Sequence, residues 1–315
     1  MILVTGAAGF IGSHVCEALV KEKKQVIGID NFNDYYSPKI KESNIETLKQ
    51  HNNFTLYRED IKNIDSLKKI FEDNKIGKII HLAARVGVRP SISMPSAYVQ
   101  DNIQGTLNLL ELAKENGIKN FVFGSSSSVY GGNKKIPFSE NDEVNGQISP
   151  YGFTKRSCEL LCNTYRNLYG VNIACLRFFT VYGPRGRPDM AIYKFTKMIN
   201  EGKEIEVYGD GTSKRDYTYV SDIVRGILLA LEKNKGFEII NLGDNNPVML
   251  KDVISLIEKN LGKKAKIRRV QKQQGDMEAT YADISKAKEI LQWSPKINFD
   301  EGIKSFVGWF KDNGI

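Results

Sequence analysis

The chain has 315 residues, 41% hydrophobic and 26% charged, with a formal net charge of +8, four cysteines and three histidines. That length buries a large core as one big domain or two lobes, and with no membrane-length apolar run and no basic signal segment the chain reads as cytoplasmic. The cysteines and histidines lack metal or redox spacing and the basic residues are interleaved with acids, as in Lys21-Glu22-Lys23-Lys24, so metal, nucleic acid and membrane are not expected as partners.

Ile2-Leu3-Val4 is a strand pattern, followed by Thr5-Gly6-Ala7-Ala8-Gly9-Phe10-Ile11-Gly12 and a helical pattern from Ser13 to Lys23. A second apolar run, Gln25 to Ile29, ends in Asp30. Strand, glycine turn, helix, strand and acid make a βαβ unit suited to a dinucleotide. Gly6 permits the turn, Gly9 lets backbone approach a pyrophosphate, and Gly12 lets the helix pack on the sheet. Asp30 is placed to accept from a ribose 2′-hydroxyl and to repel a 2′-phosphate, which favours NAD over NADP.

Apolar strands at 54–57, 78–82, 119–124 and 171–177 alternate with helical stretches that include 96–115 and 149–169. An α/β fold with a doubly wound parallel sheet is therefore expected. The Rossmann lobe should cover 1–177 with a return at about 218–243. A smaller C-terminal substrate lobe should hold 178–217 and 244–315, with the site in the crevice between them. Within this frame Tyr151 and Lys155 share a helix face. An ammonium beneath a phenol favours the phenolate, a general base. The run Ser125-Ser126-Ser127-Ser128 precedes them.

The glycine spacing G-x-x-G-x-x-G resembles the extended branch of the short-chain dehydrogenase/reductase superfamily, the NAD-dependent epimerase/dehydratase family, and further motifs follow in order from Gly6 to about Trp309. The resemblance places Phe10, Ile11, Asn31, Asn33 and Phe178 at the cofactor. It sets Asp60 and Ile61 at the adenine, Leu82, Ala83 and Ala84 along the cofactor, and Asn102 on the next helix. It makes Tyr151 the proton acceptor, gives Lys155 the tasks of lowering its pKa and holding the nicotinamide ribose, and aims Ser126 at the reacting oxygen. In related dehydratases and uronate decarboxylases acids follow that serine, and here Ser127 and Ser128 stand instead. Their absence favours returning the hydride to the opposite face of one ketone, an epimerisation at C4.

Leu176 to Pro184, Gly186 to Ala191, Asp30 to Tyr36 and Ala84 to Arg89 resemble the UDP-glucuronate 4-epimerase subfamily, with Thr180 where other UDP-sugar enzymes usually carry Asn. Oxidising C4 of a uronic acid creates a β-keto acid, so the carboxylate must be held out of line with the carbonyl π system. Thr180, Ser127 and Ser128 are suited to that through charge-assisted hydrogen bonds. The resemblance also implies Val207 and Tyr208 at uracil, Arg215 on the diphosphate, Arg89, Arg187 and Lys194 as anion contacts, and Asp276 on the uridine ribose. Gln273 departs from an Arg that many UDP-glucose epimerases carry, which weakens the expected diphosphate clamp. A homodimer through the helices near 96–115 and 149–169 is implied by relatives. The alternatives are a 4-epimerase of UDP-glucose or UDP-N-acetylglucosamine, a UDP-glucuronate decarboxylase, and a non-enzymatic NAD-sensing protein.

Overall fold

Strands buried on both faces need continuous apolar runs, and the N-terminal half supplies them. The computed structural model describes residues 1–271 and 278–313. In chain order, β1 (Ile2–Thr5), α1 (Phe10–Lys21), β2 (Val26–Ile29), α2 (Pro38–Asn44), β3 (Phe54–Tyr57), α3 (Ile64–Asp73) and β4 (Lys78–His81) form the first half of the sheet. Two short helices follow, α4 (Val88–Ser93) and α5 (Pro95–Tyr98), then α6 (Gly105–Glu115), β5 (Asn120–Ser126), α7 (Pro150–Tyr169) and β6 (Asn172–Phe178).

The remaining chain forms β7 (Thr180–Tyr182), α8 (Ala191–Asn200), β8 (Glu204–Tyr208), β9 (Lys214–Tyr219), α9 (Val220–Lys233), β10 (Phe237–Leu242), β11 (Pro247–Met249), α10 (Leu250–Leu261), β12 (Lys266–Val270), β13 (Ala279–Thr280) and α11 (Phe299–Asp312). Seven strands build one parallel sheet in the order β10-β6-β5-β4-β1-β2-β3. The order reverses between β1 and β4, and that switch point opens a crevice at the strand C-termini. This is the expected doubly wound α/β sheet.

Two expectations need correction. The predicted helix over 96–115 is broken by a wider π turn at Val99–Gln104. There Asn102 faces inward, and Gly105 permits an approach to Ile61 that a Cβ would block. The simple lobe division also fails near the end of the chain. Ala282, Ile284, Ala287, Leu291 and Trp293 are buried with α9 and the first lobe's core, while the second lobe's core is built from α8, α10 and α11 around Tyr182 and Tyr217. The Trp293 indole donates to the Asp222 carbonyl at 2.8 Å, which fixes the return.

Candidate active site

The glycine turn opens the site. Gly6 sits at φ +70°, and a Cβ there would come 2.9 Å from the Ala83 amide. A Cβ on Gly12 would collide with the Gly6 carbonyl, so both positions are closed to side chains. Helix α1 begins at Gly9 with no side-chain cap and no acid in its first turn, which leaves its amides facing the crevice. Asp30, at the end of β2, accepts from the Ala8 amide at 3.1 Å and the Phe32 amide at 2.8 Å. Burial raises its pKa, opposed by the Lys41 charge and these amides. Next to it Asn31 donates to Asp60 at 3.0 Å, joining two expected cofactor residues.

At the end of β4 lies a neutral histidine. Thr106 Oγ1 donates to the Asn102 carbonyl at 2.6 Å, so it accepts from His81 Nε2 at 3.0 Å. His81 Nδ1 then accepts from Thr5 Oγ1 at 2.7 Å, and that oxygen accepts the Ala83 amide at 3.2 Å. Burial and the Lys155 charge push the imidazole down to about 3. The chain ties the strand ends that line the cleft to the helix behind them.

The expected catalytic end combines β5 and α7. Ser149 caps α7, accepting the Gly152 amide at 3.1 Å, and Pro150 occupies the first turn, so the helix starts just before Tyr151. Ser126 Oγ donates to Ser128 Oγ at 3.2 Å and accepts the Ser128 amide at 3.1 Å. Lys155 is 3% exposed and donates to the Gly124 carbonyl at 2.7 Å, with its ammonium 4.8 Å from the Phe123 ring centre. Burial lowers it to about 8. Tyr151 departs from the sequence expectation: burial raises the phenol, and the groups that oppose this are the Ser126 hydroxyl and the Arg187 charge. Lys155 donates to the backbone of β5, and the charge that opposes the rise of the phenol is that of Arg187, from the loop after β7.

Beneath the serines Glu159 is fully buried. It accepts Ser125 Oγ at 2.7 Å, a two-pronged Arg177 at 2.9 Å on each oxygen, and Arg156 at 3.1 Å. The Arg177 guanidinium lies 4.7 Å from the Tyr130 ring, whose hydroxyl donates to Asn241 on β10 at 2.7 Å. This network anchors the serine strand end.

One cleft of about 410 Å³ brings together Gly6, Gly9, Phe10, Ile11, Gly12, Asp30, Asn31, Asn33, Asp60, Ile61, Leu82, Ala83, Ala84, Ser126, Ser127, Ser128, Tyr151, Lys155, Phe178, Thr180 and Arg187. Asn102 does not line it: the side chain accepts the Arg85 amide at 2.7 Å and donates to the Arg85 carbonyl and Thr154 Oγ1, stapling the loop after β4 to α7. Lys194, Val207, Tyr208, Arg215 and Arg89 also lie off this wall. Arg89 and Tyr208 nonetheless meet, the guanidinium 5.4 Å from the ring centre. Val207 is buried in the second lobe's core, Lys194 is exposed, and Arg215 donates to the Lys214 carbonyl. Gln273 and Asp276 lie outside the described residues.

Sequence reasoning missed the cleft residues Tyr35, Lys41, Arg85, Asp101 and Met190. Lys41 is buried, and its ammonium donates to the Asn33 carbonyl and side chain at 2.9 Å each. Tyr35 spans the cleft, donating to Asp189 at 3.5 Å, while Arg187 grips Asp189 with two bonds of 2.9 and 2.7 Å. The available signal for the first four was position: they follow the C-terminal ends of β2 and β4, where open α/β sheets bind ligands, while Met190 follows β7. Among the described residues no cluster of ligating side chains could hold a metal ion, and no helix is long and apolar enough to cross a membrane.

The donor set fits a dinucleotide: a glycine cradle, uncapped helix amides and an acid at the end of β2. The family model for GDP-mannose 4,6 dehydratase matches residues 3–306. The chain is 50% identical over 312 residues to a UDP-glucuronate 4-epimerase from Thermodesulfobacterium geofontis, covering 99% of this chain and 96% of that one. The crystal structure of UDP-glucuronic acid 4-epimerase from Bacillus cereus, in complex with UDP-glucuronic acid and NAD, superposes with a TM-score of 0.93 at 43% identity, covering 99% of each chain. A UDP-glucose 4-epimerase from Thermotoga maritima reaches a TM-score of 0.91 at 34% identity, over 100% of this chain and 99% of that one. Sequence, fold and cleft agree, and the chain belongs to the GDP-mannose 4,6 dehydratase family of extended short-chain dehydrogenase/reductases, together with the UDP-glucuronate 4-epimerases.

Proposed function

We propose that the protein is an NAD-dependent isomerase that interconverts UDP-glucuronate and UDP-galacturonate by epimerisation at C4. The observation that carries the reading is the composition of one cleft wall. Ser126, Tyr151 and Lys155 meet there beside Ser127, Ser128 and Thr180, so hydroxyls stand where an eliminating enzyme would need a carboxylate. When bound, NAD supplies a reversible hydride acceptor. The glycine cradle and the α1 amides would hold its pyrophosphate, and Asp30 a ribose hydroxyl.

The chain's own groups do the rest. Ser126 orients the sugar's C4 oxygen. Tyr151 as phenolate takes the proton from that oxygen and later gives it back, so its own protonation state is restored over a cycle. Lys155, fixed by the Gly124 carbonyl, holds positive charge below. Thr180, Ser127 and Ser128 keep the uronate carboxylate out of line with the transient ketone and so preserve it. Arg89 and Tyr208, which meet off the wall, are proposed contacts of the nucleotide end, as are Arg215 and Asp276. A homodimer through α7 is supported by its exposed row Phe153, Leu160 and Leu168.

Purified protein incubated separately with UDP-glucuronate and UDP-glucose, with products assigned by NMR, tests the reading. UDP-galacturonate from the first and nothing from the second is expected. Turnover of UDP-glucose alone would move the assignment to a neutral sugar, and turnover of neither with NAD bound would remove the enzymatic reading.

A further inference from the structure

The loop from Gly183 to Met190 carries Arg187 into the cleft, and its other face is clasped by the opposite lobe. Arg185, a non-glycine residue, sits in the left-handed region at φ +63°. Its side chain turns away from the cleft toward α1. Nη1 donates to Glu17 Oε1 at 2.9 Å and to the Asn44 carbonyl at 3.0 Å. Nη2 donates to Glu17 Oε2 at 2.7 Å and to His14 Nδ1 at 2.7 Å. His14 Nε2 in turn donates to the Pro184 carbonyl at 2.9 Å, so the imidazole grips the loop on both sides of the Pro184–Arg185 peptide. Burial and the Arg185 charge lower that imidazole to about 4, which keeps it neutral and able to accept. Both carboxylate oxygens of Glu17 and both nitrogens of His14 are engaged by this one loop.

We propose that Arg185 is a positioning residue: by clasping the loop to α1, the helix whose N-terminus faces the dinucleotide, it sets where Arg187 stands relative to Tyr151. On the cleft side the same loop is held by Asp189, which takes Arg187 on both oxygens and Tyr35 from the first lobe. The loop is thus fixed from two directions, and Arg187 has little freedom. The consequence reaches the reaction through charge. The groups around the Tyr151 phenol are Ser126 from β5, Lys155 on its own helix, Tyr98 from α5, Tyr35 from the loop after β2, and Arg187. Among them Arg187 is the positive charge whose place depends on the clasp.

The proposal rests on the epimerase reading, and wild-type turnover of UDP-glucuronate checks that reading separately. The test uses Arg185→Gly, which keeps a backbone suited to positive φ while deleting the clasp, and Glu17→Gln, which weakens it from a residue off the cleft wall. Both variants are expected to raise KM for UDP-glucuronate by about tenfold, the size of one lost charge-assisted contact. Both should move the limb of kcat on which Tyr151 deprotonates to higher pH, because a displaced Arg187 no longer favours the phenolate. Combining Arg185→Gly with Arg187→Met should add nothing to the shift caused by Arg187→Met alone. A lower melting temperature with wild-type KM and an unmoved pH profile in Arg185→Gly would reduce the clasp to a structural staple and overturn the proposal. So would a pH shift that adds fully to that of Arg187→Met.

Discussion

Burial raises the Tyr151 phenol and lowers the Lys155 ammonium to about 8, so the interior opposes the phenolate–ammonium form that proton removal needs, and polar neighbours must restore it. Ser126 and Arg187 do this at the phenol, and the Gly124 carbonyl holds the ammonium. A different task, holding the substrate carboxylate, is proposed for Thr180. Thr180→Ala is expected to leave turnover measurable but to release decarboxylated pentose product alongside the epimer, detected by NMR; a clean epimer mixture would remove its carboxylate-holding role. His81 sets a limit on acid stability. Its folded pKa of about 3 lies below the ordinary 6.5, so the unfolded chain binds the proton and stability falls as pH drops from 6.5 toward 3. Between pH 7 and pH 5 this amounts to about 2 kcal/mol. His81→Gln should show a smaller loss over that interval in urea unfolding, and an identical pH slope would count against the assignment.

At the scale of elements, β5, β6 and α7 share the buried Glu159–Arg177 pair, and Ser125 hangs from the same carboxylate. Breaking one partner strands the other charge in a dry interior, which typically costs about 3–5 kcal/mol. Glu159→Gln is therefore expected to lower the urea midpoint strongly, and Glu159→Leu with Arg177→Met to recover part of it. Equal loss in both variants would show that shape, not charge, governs the site. The βαβ unit was legible because its signals are local: glycines at a turn, an acid at a strand end, apolar runs for strands buried on both faces. The Glu159–Arg177 pair was hidden because nothing in a helix sequence marks which acid faces an arginine 18 positions later. The Tyr35–Asp189 bridge was hidden for the same reason at larger separation, and the π turn at Val99–Gln104 because a one-residue widening leaves the helical pattern nearly intact.

At the scale of the whole molecule, the parallel sheet followed from the alternation of strands and helices, while the last return of the chain at 282–293 did not. Packing of Trp293 against α9 is a tertiary choice that composition near 282–293 does not announce. The exposed row Phe153, Leu160 and Leu168 on α7 belongs to this scale too. Spaced 7 and 8 residues apart, these side chains fall on one helix face. If the proposed homodimer forms through α7, Leu160→Asp is expected to shift sedimentation from dimer to monomer, and a monomeric wild type would overturn that proposal.

The chain enters the second lobe after β6, leaves it through β9 into α9, re-enters after β10 and comes back once more at 282–293. No single cut divides such a path into two self-contained pieces. Either lobe expressed alone would lack strands or helices that its own core uses, so nicking by a protease should yield fragments that stay together until denatured. The two walls of the cleft are obliged to fold as one.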